Sequence, residues 1–321
     1  MTIGTLSAAW WLGRNSQEAV PPAPEVPREP AALQRYLEER ESAVPRLRPH
    51  LAKAIRWADP AHPRRMPLAL VYLHGYSGSH RELFPVCECL AEGWGANVFL
   101  SRLAGHGRDG AAMAEAGVGD WLADAREALA IGRRLGERVV VVGTSTGGTL
   151  AAWLAAALDQ ARVAGYVLMS PNFGPRHPLS ELLLLPGART WASWIHGRTH
   201  RFETLTEDHA RYATAEFPTR ALIPMMRLVA MARAMDLEAI RSPVQVLFSP
   251  QDRVVSPAAI RGAYDRLGSS RKELVAIDEP EDPGRHILAG DVLSPATTGR
   301  VVGEVRRFMA PVLEREEAWE G

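Results

Sequence analysis

Short continuous apolar runs alternate along this chain with longer stretches in which apolar residues return at helical spacing. The runs at residues 68–73, 96–100, 139–142, 163–169, 244–248 and 273–277 predict strands, and the four consecutive valines 139–142, a β-branched run, favour one covered on both faces. Residues 53–57 predict an edge strand, ended by Asp59-Pro60. Helical spacing marks residues 31–42, 81–93, 120–135, 151–158 and 295–309. In the third of these, Trp121, Ala125, Ala128, Leu129, Gly132 and Leu135 share one face. Asp120 is placed to cap it, Arg133 and Arg134 suit its C-terminal dipole, and Gly136 is placed to end it. In the last, Ser294 is the expected N-cap and Pro295 the first residue, with Val301, Val305, Phe308 and Val312 facing inward. Between residues 172 and 241 the alternation breaks into helix-like pieces with no clear strand. Strands alternating with helices predict an α/β fold: a mostly parallel central sheet with helices on both faces. The expected organisation is an extended tail (1–30), a first core segment (31–171), a helical insertion (172–242) and a second core segment (243–321).

The ends add little that is decisive. Residues 1–13 carry Leu6, Trp10, Trp11 and Leu12 but are too short to span a bilayer and lack a basic lead-in. Trp favours the membrane interface, so peripheral contact through this tail is one expectation. The expected location is cytoplasmic, with membrane association as the alternative. Pro21, Pro22, Pro24, Pro27 and Pro30 then predict an extended, unpacked linker, with the ordered domain beginning near residue 31. A formal net charge of +0, with the basic residues scattered, argues against a nucleic-acid partner. Cys87 and Cys89 stand two apart in one expected helix, where they face different ways; a disulfide is not expected, and two cysteines are too few for a zinc site. No cofactor or metal is expected.

The chemistry concentrates where the all-valine run meets the alanine-rich helix, in Gly143-Thr144-Ser145-Thr146-Gly147. A serine at the tip of a strand-to-helix turn needs neighbours without side chains, and Gly143 and Gly147 meet that need. This is a nucleophile elbow, with Ser145 as nucleophile. No Lys follows the glycines, so a phosphate-binding loop does not fit. A serine needs a base, and the base needs an orienting acid. Asp252, just past the run ending at Phe248, is the expected acid, with Asp278 as rival. His286 is the expected base, ahead of His177, His196, His200 and His209. The acidic loop before it (Asp278, Glu279, Glu281, Asp282) is expected to raise its pKa. The backbone N–H groups of Tyr76 and Thr146 are the expected oxyanion donors. His74 and His106, in tight glycine turns, read as structural.

With His74-Gly75 and Gly105-His106-Gly107, these motifs resemble the α/β-hydrolase superfamily over residues 68–311, most closely its serine esterases and monoacylglycerol-lipase-type members. Ala104 stands where many relatives have Pro, and Thr144 where many have His or Asn. The resemblance implies hydrolysis of a small-molecule carboxylic ester through a Ser-His-Asp triad and an acyl-enzyme. It makes the insertion a lid, whose Trp191, Trp194, Ile195, Met225, Met226 and Met231 suit an apolar acyl chain or simply dock the lid. Thioesterase or acyltransferase activity differs only in the leaving group or acceptor. A non-catalytic ligand receptor on the same fold is the reading from another class.

Overall fold

A computed structural model of the chain describes residue 22 and residues 24–158, 160–191 and 197–314. The described strands are β1 (Ala54–Arg56), β2 (Met66–Leu73), β3 (Asn97–Leu100), β4 (Gly136–Thr144), β5 (Val163–Met169), β6 (Thr199–Arg201), β7 (Glu216–Pro218), β8 (Val244–Phe248) and β9 (Lys272–Ala276). The described α-helices are α1 (Pro30–Ser42), α2 (Val86–Trp94), α3 (Val118–Leu135), α4 (Thr146–Ala157), α5 (Glu207–Tyr212), α6 (Leu222–Ala234), α7 (Pro257–Arg266) and α8 (Pro295–Glu314).

One seven-stranded sheet runs in the order β1-β3-β2-β4-β5-β8-β9. It is parallel except at its edge, where β1 pairs antiparallel with β3. The four valines of β4 show why the run lacks alternation. Val139 and Val141 pack into one apolar layer with α1, α3, α4 and α7, while Val140 and Val142 pack into the other with α2 and α8. All four are fully buried, each contributing about 1.5–3 kcal/mol.

β2 and β4 are neighbours, but their following helices, α2 and α4, lie on opposite faces. The order reverses there, and a crevice opens at the carboxyl ends of the two strands. The insertion leaves after β5 and returns at β8, with α6 packed against α4.

Several local expectations change. α3 starts at Val118 with Gly117 as its cap; Asp120, three positions in, accepts from the Gly117 N–H at 2.8 Å. Gly136 ends α3 as expected, its N–H donating to the Gly132 carbonyl, and opens β4 in extended geometry. It is small because β2 lies against it: a Cβ there would strike the Ala69 amide. The helix expected over residues 81–93 splits into a tight turn (His80–Leu83) and α2, because Pro85 cannot continue the hydrogen-bond ladder. At α8, the Ser294 hydroxyl donates to the Ile287 carbonyl at 2.6 Å, and the free amide of Ala296 is met by Glu281 at 2.7 Å.

The insertion, expected to lack strands, holds the pair β6–β7, three residues each, with Phe217 of β7 buried. So short a pair leaves no alternation to read. Within the proline-rich stretch Val26 is already buried, and its carbonyl accepts from Arg134 Nε at 3.1 Å, so packing begins before residue 31. Cys87 and Cys89 are both free thiols on α2. Residues 1–13, and with them the expected membrane contact, lie outside the described residues, as do His196, Trp194 and Ile195. Among the described residues no helix is long and apolar enough to cross a membrane.

Candidate active site

Ser145 stands between β4 and α4 with φ 52° and ψ −115°, a backbone geometry that L residues avoid. The crowding around it explains the flanking glycines. A Cβ on Gly143 would collide with the Gly147 carbonyl, and one on Gly147 with the Leu73 carbonyl of β2. The turn is held from outside: Ser145 N–H donates to the Met169 carbonyl at 2.9 Å, and its carbonyl accepts from Asn172 N–H at 3.1 Å. The side chain thereby faces the crevice beside the N-terminus of α4, where the helix dipole favours negative charge.

Asp252 and His286 come from loops that follow β8 and β9. Asp252 is fully buried; its Oδ1 accepts from the N–H groups of Val254 (2.8 Å) and Val255 (2.9 Å). Its Oδ2 lies 2.8 Å from His286 Nδ1. That contact fixes the ring and leaves Nε2 as the nitrogen for a travelling proton. The rival Asp278 is an exposed residue 3.9 Å from Arg300. Ser145 and His286 line the same cavity, of about 370 Å³.

The His286 loop is tied down by Asp282, expected only as a nearby charge, and by Ser170, which the sequence did not flag. Asp282 accepts from the N–H groups of Gly284, His286 and Ile287, and the Ser170 hydroxyl donates to the His286 carbonyl at 2.7 Å. Burial pushes the His286 imidazole down; the Asp252 carboxylate, with Asp282 and Glu82, outweighs it, and the net shift is upward. Within the acidic loop Asp282 supplies the main part of the expected effect, joined by Glu82, which also lines the cavity.

The loop after β2 carries Tyr76. Its neighbours' amides are taken: Gly75 donates to Glu82 Oε1 at 2.5 Å, and Ser77 to His106 Nε2 at 3.1 Å. Between them, the Tyr76 amide has no acceptor among the described residues, and neither has the Thr146 amide that opens α4. The Tyr76 side chain anchors the loop, donating to the Ala221 carbonyl at 2.7 Å.

His74 and His106 prove structural, and their partners define their tautomers. His74 Nε2 accepts from Leu103 N–H, so its Nδ1 donates to the Gly75 carbonyl at 2.8 Å. His106 Nε2 accepts from Ser77, so its Nδ1 donates to the Ala104 carbonyl at 3.1 Å. Burial pushes both pKa values down, His106 to about 4, so both rings stay neutral. Of the other insertion histidines, His200 and His209 line the cavity, whereas His177 is exposed.

The cavity has two walls. The insertion supplies Phe202, Tyr212, Phe217, Leu222 and Met225, and the core supplies Ile287, Val292 and Leu293. Met226, Leu228 and Val229 instead bury themselves beneath α6, so only part of the insertion's apolar surface docks it.

Residues 65–288 match the family model described as serine aminopeptidase, S33, a group of hydrolases. The chain belongs to that family. Its fold is that of the α/β hydrolases. It is similar to the thermostable monoacylglycerol lipase of Bacillus sp. (strain H-257), 26% identical over 226 residues, which is 68% of this chain and 84% of the relative. Among solved structures, a metagenome-derived lipolytic enzyme from work on LipS and LipT superimposes with TM-score 0.64 at 21% identity, covering 83% of this chain and 99% of that one. A soluble variant of the monoglyceride lipase of Saccharomyces cerevisiae, solved with a substrate analogue, superimposes with TM-score 0.59 at 12% identity, covering 81% and 91%. These two likenesses bear on the α/β-hydrolase fold.

Proposed function

We propose that this α/β hydrolase cleaves carboxylic esters of small molecules with an apolar acyl chain, through a Ser145–His286–Asp252 triad. The observation that carries the reading is the 2.8 Å contact of His286 Nδ1 with buried Asp252, in a cavity that Ser145 shares. Ser145 Oγ attacks the ester carbonyl as its proton passes to His286 Nε2, and Asp252 stabilises the resulting imidazolium. The carbonyl oxygen takes the negative charge between the Tyr76 and Thr146 amides. Collapse breaks the bond to the alcohol, which leaves with the proton from Nε2. Water, activated by the same imidazole, then frees the acid and restores Ser145. Residues 172–242 act as the lid. The similarity to a monoacylglycerol lipase makes monoacylglycerols the first substrates to try. The Trp-bearing tail, residues 1–13, is a peripheral contact to a lipid surface.

The test is a panel of p-nitrophenyl esters and monoacylglycerols of rising chain length, with fluorophosphonate labelling of Ser145. Ser145→Ala should abolish both turnover and labelling; turnover that survives the substitution refutes the mechanism. A chain that binds these esters but neither turns them over nor labels would favour a receptor on the same fold. Acyl transfer to an added thiol or alcohol in preference to water would make it an acyltransferase.

A further inference from the structure

The Tyr76 amide works only if the loop carrying it is held at a fixed distance from Ser145, and that loop has a tether outside the triad. After the loop, the turn His80–Leu83 folds Glu82 back beneath it. Glu82 Oε1 accepts from Gly75 N–H at 2.5 Å and from the Tyr72 hydroxyl at 2.8 Å. One phenol can donate only once. With its proton on Glu82, the Tyr72 oxygen accepts from the Thr144 hydroxyl 3.1 Å away. Gly75 immediately precedes Tyr76, and Thr144 immediately precedes Ser145. The Glu82 main chain is fixed too: Gly290, just beyond the His286 loop, packs so close that a Cβ there would collide with the Glu82 carbonyl.

We propose that Glu82 is a positioning residue: its half-buried carboxyl bridges the Gly75 amide to the Tyr72–Thr144 hydroxyl pair and so sets the Tyr76 amide at oxyanion distance from Ser145. This rests on the reading of Ser145 as nucleophile and Tyr76 as oxyanion donor. The environment suits the task. Burial raises the Glu82 pKa, against the pull of Gly75, Tyr72 and His286, to about 7. Near neutral pH the group is therefore often uncharged, which limits repulsion of a nearby oxyanion. Gln copies that neutral form and keeps an acceptor for Gly75.

The experiment uses the full chain with Glu82→Gln and Glu82→Ala, a p-nitrophenyl ester, and an alkyl trifluoromethyl ketone. The ketone's adduct with Ser145 puts an anion where the transition state does. Losing an oxyanion donor outright costs about 10²–10³ in kcat, so misplacing one through Glu82→Ala should cost about 10–10². KM should stay within about threefold, and the ketone's Ki should rise by the factor lost in kcat/KM. Glu82→Gln should recover to within about fivefold of wild type. An unchanged kcat in Glu82→Ala overturns the proposal. So does a fall in kcat with KM and stability also degraded and the ketone's Ki unmoved. If the alanine variant does not fold, Glu82→Asp decides. Its arm is one methylene short, and activity equal to wild type overturns the proposal, whereas a loss of kcat that Glu82→Gln does not share supports it. Absent turnover in wild type, or turnover in Ser145→Ala, sinks the underlying serine-hydrolase reading; a Glu82 failure with Ser145-dependent turnover intact sinks this proposal alone.

Discussion

At the scale of single residues, the site depends on groups held where they would not rest unaided. Ser145 keeps its positive φ because β2 and α4 close on the flanking glycines. Gly147→Ala should therefore lower stability by about 1–3 kcal/mol, the usual cost of overpacking, read as a denaturant midpoint shift. The raised pKa of His286 has a definite sign in catalysis. As the proposed base, His286 must be neutral, so lowering the pH through its pKa should remove activity. The acid limb of kcat/KM should lie above the ordinary imidazole value of about 6.5. Asp252→Asn should move that limb down, because the carboxylate supplies the largest upward pull, and should lower kcat by a factor on the order of 10⁴. A limb at or below the imidazole value in wild type would contradict the described electrostatics. Ser145, Asp252 and His286 were legible as residue types in chain order. Glu82 was not, because a lone acidic residue in a polar loop carries no sequence sign of what it binds, and Asp282 was legible only as one charge in an acidic run.

At the scale of elements, the helices and strands followed from periodicity, and the errors clustered at boundaries where a tertiary contact took over. Gly136 shows such a contact at a boundary that was read correctly: it ends α3 as expected, but a close approach by the neighbouring strand is what excludes a side chain there. The attachment of β1 to α3 is likewise invisible in the sequence. Lys53, just before β1, reaches Asp124 at 2.9 Å and Glu127 at 2.5 Å on α3, with its side chain 8% exposed. Tyr36 of α1 donates to Glu127 from the other side at 2.6 Å. Lys53→Ala removes the cation shared by half-buried Asp124 and buried Glu127, which keeps Arg40 at 3.1 Å, and should cost about 3 kcal/mol, measurable by urea denaturation. Replacing the cation by Met should be no less damaging, since the carboxylates remain.

At the scale of the whole molecule, the insertion and the core each supply one wall of the cavity, so substrate fit depends on how they meet. If the tail reaches a lipid surface, deleting residues 1–13 should abolish flotation with liposomes while leaving hydrolysis of soluble esters unchanged; equal flotation of both forms would remove the tail from the account. The sequence by itself determined the α/β architecture, since buried parallel strands and amphipathic helices write their periods directly into the order of residues. It also determined the elbow, since a strained turn tolerates few residue types. Only the tertiary structure decided that Asp252, and not Asp278, meets His286, and that Glu82 sits beneath the Tyr76 loop. The reason is physical. Periodicity reflects contacts an element makes along its own length, whereas a hydrogen bond between distant loops depends on the sheet order and twist that bring their ends together.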